Sequence, residues 1–309
     1  MDQTKIGAIS LFLVFVVLLY VLPSRGDGAT VSVDCSSASL QAGVDKAKPG
    51  DTVLVSGTCS ENLVIPEHVQ KITLDGQGKA TISGTDKAKD TILIYGKGIT
   101  IKGFTIMGGR DGIQILMGGT ALVDGNTIEK VGRFGVYVTQ HSSARIVNNT
   151  IQNNGQFGIA VSGGAFAYIG FLGYLDLMDK NTSPNVVQGN GRAGIHVHRT
   201  SYARIAGNTI SNNKLNGIEV EGVSHAQIGG NTINANGEDG IHISENSSVN
   251  LGSGKGTRIL DIHNSTTAVN KGFGISCSEG GSANGSLGSL NGAKGAKDFD
   301  NSCADRMRP

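Results

Sequence analysis

The tripeptide Asn-Thr-Ile begins at Asn126, Asn149, Asn208 and Asn231, with Asn185-Val-Val as a variant, so that successive starts lie 23, 36, 23 and 23 residues apart. A second marker, Gly followed by an aliphatic residue, recurs at Gly112, Gly135, Gly158, Gly194, Gly217, Gly240 and Gly274, with steps of 23, 23, 36, 23, 23 and 34. Both markers report one unit of 23 residues, lengthened by 13 residues before the Asn185 copy and by 11 before the last. A third marker opens at Ala144, Ala203 and Ala226, each five residues ahead of an Asn-Thr-Ile. Within each unit the apolar residues alternate, as in Val136/Val138, Ile195/Val197, Ile218/Val220 and Ile241/Ile243. A period of two over short runs specifies strands. A unit this short cannot bury its own apolar face and must stack on its copies, which predicts an all-β, single-domain parallel solenoid.

The unusual composition follows from stacking. Gly accounts for 47 of 309 residues, about twice the usual ~7%. Asn154, Asn190, Asn213 and Asn236 share one turn position, with Gly after three of them. There a side-chain amide can bond its equivalent in the next coil, about 4.8 Å away, while tolerating left-handed backbone. These asparagines are read as a structural ladder. With 26 Lys+Arg against 25 Asp+Glu, the net charge of +1 supplies no field for a nucleic-acid partner.

Lys5 precedes an apolar run, Ile6 to Leu22, and Ser24-Arg25-Gly26 offers a small-x-small cleavage site. Residues 1–26 read as a secretory signal peptide, with an uncleaved anchor as the alternative. The protein is then expected to be secreted, periplasmic or on the cell surface, touching a membrane only through that segment. In an oxidising compartment the four cysteines are expected to pair locally, Cys35 with Cys59 and Cys277 with Cys303, because the repeats separate the two pairs.

The Asn-Thr-Ile, Asn-Gly and Gly-Ile-x-Val units of residues 91–280 resemble the right-handed parallel β-helix proteins of the pectin-lyase-like superfamily. The resemblance implies a right-handed helix. It also implies that Ser39 to Ala47 forms a short helix plugging the N-terminal end, followed by a first strand over Pro49 to Val55. The expected organisation is an N-terminal cap and first coils over 30–90, repeats over 91–280 and a Gly/Ser-rich C-terminal cap over 281–309. Many members of the superfamily act on acidic polysaccharides, but neither the calcium-binding aspartates and arginine of pectate lyases, nor the aspartate motifs of polygalacturonases, nor the Asp-Pro-His of alginate epimerases is present. No catalytic residue is carried over, and fold alone does not fix function.

Counting along the coils singles out the outward position between the two buried aliphatics, which reads Gln114, Tyr137, Ala160, His196, Glu219, His242 and Ser276. Two positions on, Leu116, Thr139, Ser162, His198, Glu221, Ser244 and Ser278 form a parallel column. His196, His198, Glu219, Glu221 and His242 should therefore make one patch, with Asp239 and Arg199 near its edge. A polar column is needed on any solvated face, so the patch has a purely structural reading, in which opposite charges on neighbouring strands contribute about 0.2–1 kcal/mol.

Three chemical readings stand beside it. A histidine could act as general base on a uronate C5 proton, with Arg192 or Arg199 neutralising the carboxylate. Glu219 with Glu221 or Asp239 could form a glycosidase acid and base pair. His196, Glu219 and His242 could ligate a divalent metal, although no cofactor is required. The insertion after Gly170, with Phe171 and Tyr174, is expected to wall a groove beside the patch and stack on sugars, or else to form a hydrophobic flap over a flank. These features point to a monomer that binds or processes polysaccharide, with lyase- or epimerase-like chemistry, or to a non-catalytic extracellular solenoid that binds glycans or proteins.

Overall fold

The structure, a computed structural model, describes residues 28–172, 182–256 and 258–308. The proposed signal peptide and Tyr174 lie outside the described residues. Each coil contributes one short strand to a ten-stranded parallel sheet, from Leu63–Ile65 to Gly295–Phe299, here termed sheet I. The remaining strands form an eighteen-stranded second sheet, sheet II, that wraps the other flanks of the solenoid. Ile113, Val136, Ile159, Ile195, Ile218, Ile241 and Ile275 pair one on the next in register. All seven are fully buried, so a slip of one residue would turn every one of them to solvent. The repeat arithmetic and the right-handed parallel β-helix expectation are borne out.

Two asparagine ladders lock the turns. In the first, Asn154, Asn190, Asn213, Asn236 and Asn270 pass an amide to amide hydrogen bond of 2.9–3.1 Å from coil to coil. The second runs through the Asn-Thr-Ile positions Asn126, Asn149, Asn185, Asn208, Asn231 and Asn264. In the first ladder the left-handed backbone falls one residue earlier than expected, at Asn153, Gly189 and Asn212, and in the second it likewise precedes the asparagine, at Gly125, Asn148 and Gly207. The asparagine itself stays buried and pointing inward, and the residue before it makes the turn. Gly191 is required for close approach: a Cβ there would lie 2.1 Å from the carbonyl oxygen of Gly155.

The ends are closed differently. Leu40–Lys46 is the α-helix of the described residues, and its Leu40 and Val44 are fully buried against the first coils. Ser39 caps it, and the Glu61 carboxylate accepts from the backbone N–H groups of Leu40 and Gln41, satisfying donors that the helix start leaves open. Disulfides join Cys35 to Cys59 and Cys277 to Cys303, as the local pairing anticipated. The Gly/Ser-rich C-terminal stretch winds on as coil, with Ser282–Ser286 pairing Ala304–Arg308 and Phe273–Cys277 pairing Gly295–Phe299.

Both insertions leave from sheet II. The 13-residue insertion departs at Gly170, between strands Phe166–Ile169 and Val186–Gln188 of that sheet. Phe171 is 2% exposed and packs with Ala206 and with Ile259 of the second insertion, edged by Tyr168 and Leu260. Phe171 is therefore not a sugar platform beside the histidines, and the described part of the insertion is a hydrophobic flap over the far flank. Burial of an aromatic against another insertion was the better use of its apolar area.

Candidate functional site

Sheet I builds its outer face from strands of three to five residues, so each coil offers one central outward side chain flanked by turn residues. His196, Glu219, His242 and Ser276 are consecutive register partners down this column. Their neighbours two residues on, His198 and Glu221, lie on the same face, as period two requires. The structure thus brings together the five titratable residues expected to form a patch, and within it they separate into two clusters.

The first cluster centres on Glu219 and His242. Asp239 accepts hydrogen bonds from the Phe273 backbone N–H at 2.6 Å and from the Ser276 hydroxyl at 2.5 Å. Because the single Ser276 proton is committed to Asp239, the 2.8 Å contact between His242 Nδ1 and Ser276 Oγ must have the imidazole donating. The neutral His242 tautomer therefore carries its proton on Nδ1 and keeps the lone pair on Nε2. One coil away Glu219 is 8% exposed, and its Oε2 is buried without a hydrogen-bond partner. Burial pushes its carboxyl above the usual carboxylate range, against the opposing pull of His196. A concavity of about 490 Å³ opens beside Glu219 and His242, with Asn216, Asp239, Lys271 and Lys294 in its lining.

The second cluster is His196, His198 and Glu221. His196 Nε2 lies 2.9 Å from Glu221 Oε1, and His198 Nε2 lies 3.9 Å from the same oxygen. The hydrogen bond from His196 holds the Glu221 carboxyl below its ordinary range, whereas burial, then His196, hold His198 below the usual imidazole value. Two neighbouring carboxyls are thereby driven in opposite directions, Glu219 toward the neutral acid and Glu221 toward the anion.

Potential metal ligands converge differently from the expected set. Among the described residues, the donor atoms that gather within 4.8 Å of one another belong to His196, His198 and Glu221. His242, expected with His196 and Glu219, is drawn away by Ser276 and Asp239. Two imidazoles and one carboxylate suit zinc or copper, not calcium, which takes about six to eight oxygens.

Arg192 is exposed, with its guanidinium 4.9 Å above the Phe157 ring and in no ion pair among the described residues. Its charge acts on both Glu219 and Glu221. Arg199 sits on the turn leaving strand Ile195–His198, with left-handed backbone (φ 55°), beside His198 and away from the concavity. Phe157 stacks on His196 at 4.3 Å and continues through Phe134, at 5.6 Å, to Tyr137. Phe157 and His196 are buried in this row, and Phe134 and Tyr137 are half-buried, so the row packs the face beside the titratable cluster.

Sequence reasoning missed several of these groups. Phe134 and Phe157 occupy the position just before the glycine marker, the one at which Asp239 was already singled out, and the same coil counting applied one step earlier would have found them. Ser276 was in the column, but its hydrogen bond to Asp239 spans the irregular 34-residue step. Lys271 and Lys294 lie beyond that step, where coil counting loses its register.

No curated protein matches the sequence of this chain. The solved structure of an alginate lyase from Paenibacillus sp. str. FPU-7 superposes with a TM-score of 0.57 at 16% identity, covering 89% of this chain and 99% of that one. The mannuronan C-5 epimerase AlgE6 A-module from Azotobacter vinelandii gives 0.51 at 13%, covering 91% and 89%. Pectate lyase Pel9A gives 0.51 at 11%, covering 92% and 80%. At these identities the likeness is one of fold. The sequence also matches the family described as "Right handed beta helix region" over residues 52–170 and 178–296, more than three quarters of its length. With the stacked register and both asparagine ladders in place, the chain belongs to the right-handed β-helix family.

Proposed function

We propose that sheet I carries a centre for acidic polysaccharide, acting by proton abstraction at C5 of a uronate unit, with the lyase or epimerase outcome set by the fate of the electron pair left at C5. The observation that carries this reading is the pairing, one coil apart, of Glu219, whose buried Oε2 has no hydrogen-bond partner, with a His242 held through its Nδ1 in the lining of the same concavity. His242 is the general base: the Ser276 and Asp239 relay holds its tautomer and steadies the imidazolium that forms. Loss of the C5 proton leaves an electron pair delocalised onto the adjacent carboxylate. Lys271, Lys294 and Arg192 supply the positive charge that this developing anion requires. For elimination the pair closes a C4–C5 double bond as the C4–O bond breaks, and Glu219, whose carboxyl burial biases toward the acid form, gives its proton to the departing oxygen. For epimerisation Glu219 returns a proton to C5 from the opposite face. The half-buried Phe134 and Tyr137 offer apolar ring surface to neighbouring sugars, so that the polymer lies along the helix axis from Tyr137 to His242, four inter-coil steps or about 19 Å.

The likeness of fold to alginate- and pectate-acting enzymes supports the same substrate class. Two disulfides and the apolar N-terminal run support an exported protein, secreted, periplasmic or at the cell surface. The glycosidase pairing is disfavoured because the Glu221 carboxylate is already engaged by His196. The test is incubation of the purified protein with alginate, polymannuronate, polyguluronate and pectate, following ultraviolet absorbance of unsaturated ends and the NMR spectrum of the polymer. Unsaturated ends or inverted C5 centres, lost in Glu219→Gln and His242→Ala, are expected. Reducing ends without unsaturation would replace this reading with hydrolysis, and binding without turnover would replace it with a glycan-binding solenoid.

A further inference from the structure

Sheet II, on the other side of the solenoid, carries a second arrangement of aromatic and basic side chains. Phe166, Tyr202 and His225 are successive register partners, and their rings stack nearly parallel, at 5.3 and 5.4 Å. In the coil before Phe166 the column continues with the small Ser143 and then Thr120. The stack therefore ends in a step, with one face of the Phe166 ring turned toward a concavity of about 320 Å³. Tyr202 and His225 support that ring from behind. Tyr168 stands edge-on to it at 4.7 Å, and the Arg145 guanidinium lies 5.2 Å from the Tyr168 ring centroid. Arg145 is oriented by a 2.6 Å hydrogen bond from its Nε to the Leu172 carbonyl, which leaves its terminal nitrogens available. Thr100, Thr120 and Ser143 place hydroxyl-bearing residues along the floor. Arg145 is the one charged residue among the described residues of the lining.

We infer that this step on sheet II is a second glycan site, which takes one uronate unit of an acidic polysaccharide against the Phe166 ring with its carboxylate on Arg145. An aromatic face recognises the C–H face of a sugar, hydroxyls along the floor meet sugar hydroxyls, and a guanidinium matches a carboxylate in two-point geometry. With no carboxylate among the described residues of the lining, the charge complementarity selects an anionic sugar over a neutral one. The site stands on its own geometry and does not require sheet I to be catalytic. A polymer held on sheet II remains tethered while sheet I engages another stretch, which raises the local concentration of substrate.

Isothermal titration calorimetry of the full chain tests this. Hexamannuronate, hexaguluronate and hexagalacturonate are the acidic probes and maltohexaose the neutral one, in a Glu219→Gln background that prevents turnover. Arg145→Ala, at an exposed residue, and Phe166→Leu, which keeps apolar bulk but removes the ring face, are compared at matched thermal unfolding. The expected result is that each weakens one hexauronate binding event by about tenfold or more, whatever remains on sheet I, and that maltohexaose binds at least tenfold more weakly than the hexauronate to the unsubstituted site. Unchanged hexauronate affinity and stoichiometry in both variants overturns the inference, as does the absence of hexauronate binding altogether. Equal affinity for maltohexaose overturns the assignment to acidic sugar.

Discussion

Replacing Asn190 by Ala removes one rung of the ladder directly beneath the turn that presents Arg192. Asn190 Oδ1 accepts from the Asn154 backbone N–H at 3.2 Å and from the Asn154 amide at 3.1 Å, while its own amide donates to Asn213 Oδ1 at 2.9 Å and to the Ile151 carbonyl at 3.3 Å. Asn190 is fully buried. The substitution leaves the Asn154 N–H without an acceptor, while the Asn154 amide retains its bond to the Ile128 carbonyl and Asn213 retains the Asn190 N–H. One fully orphaned buried donor costs about 1–3 kcal/mol, and each weakened partner adds roughly 1 kcal/mol. The expected loss is therefore about 3–5 kcal/mol, a large share of a typical stability of about 5–15 kcal/mol. Denaturant unfolding of Asn190→Ala beside Asn250→Ala, an exposed strand asparagine, provides the comparison. The control should stay within about 0.5–1 kcal/mol of the parent. If both variants unfold at the same midpoint, the ladder is not a stabilising network and the assignment of these asparagines fails.

Glu219→Gln should also stabilise the fold at neutral pH. The folded-state pKa of Glu219 is raised by burial, so the native state binds more protons than the unfolded chain above the ordinary glutamate value of about 4.3. Parent stability then falls relative to the Gln variant as pH rises through that window. Thermal unfolding should show the two converging below about pH 4, and a gap that is constant across pH would contradict the assignment. Breaking the Cys277 to Cys303 bridge with a pair of serines should cost about 2–5 kcal/mol. Hydrogen exchange should accelerate over residues 295–308 while Val136–Val138 stays protected, and uniform acceleration would show that the last coil is not a separable end.

The scaffold was legible in the sequence because a solenoid repeats its contacts. Ile195, Ile218 and Ile241 each solve the same packing problem as their neighbours, so spacing alone reveals who touches whom. The patch was legible for the same reason: His196, Glu219 and His242 occupy a position where stacking demands nothing titratable. What counting could not supply was the direction in which each polar group is satisfied. Glu221 and Glu219 look equivalent in sequence, yet one is held by His196 and the other has a buried oxygen with no partner. The Ser276 relay bridges an irregular step, and Phe171 belongs to an insertion whose packing partner, Ile259, lies in another insertion about ninety residues away. Side chains that break the repeat escape the arithmetic of the repeat.

Solvent exchange at C5 tests the central claim most directly, because both elimination and epimerisation begin with the same abstracted proton. Hexamannuronate, hexaguluronate and hexagalacturonate are incubated with the protein in deuterium oxide, and the sugars and any unsaturated products are read by NMR and mass spectrometry. The account predicts loss of C5 protium in at least one of the three, with the rate reduced about 100-fold or more in His242→Ala. Retention of every C5 proton with the parent protein, or an unchanged rate in the variant, would contradict it.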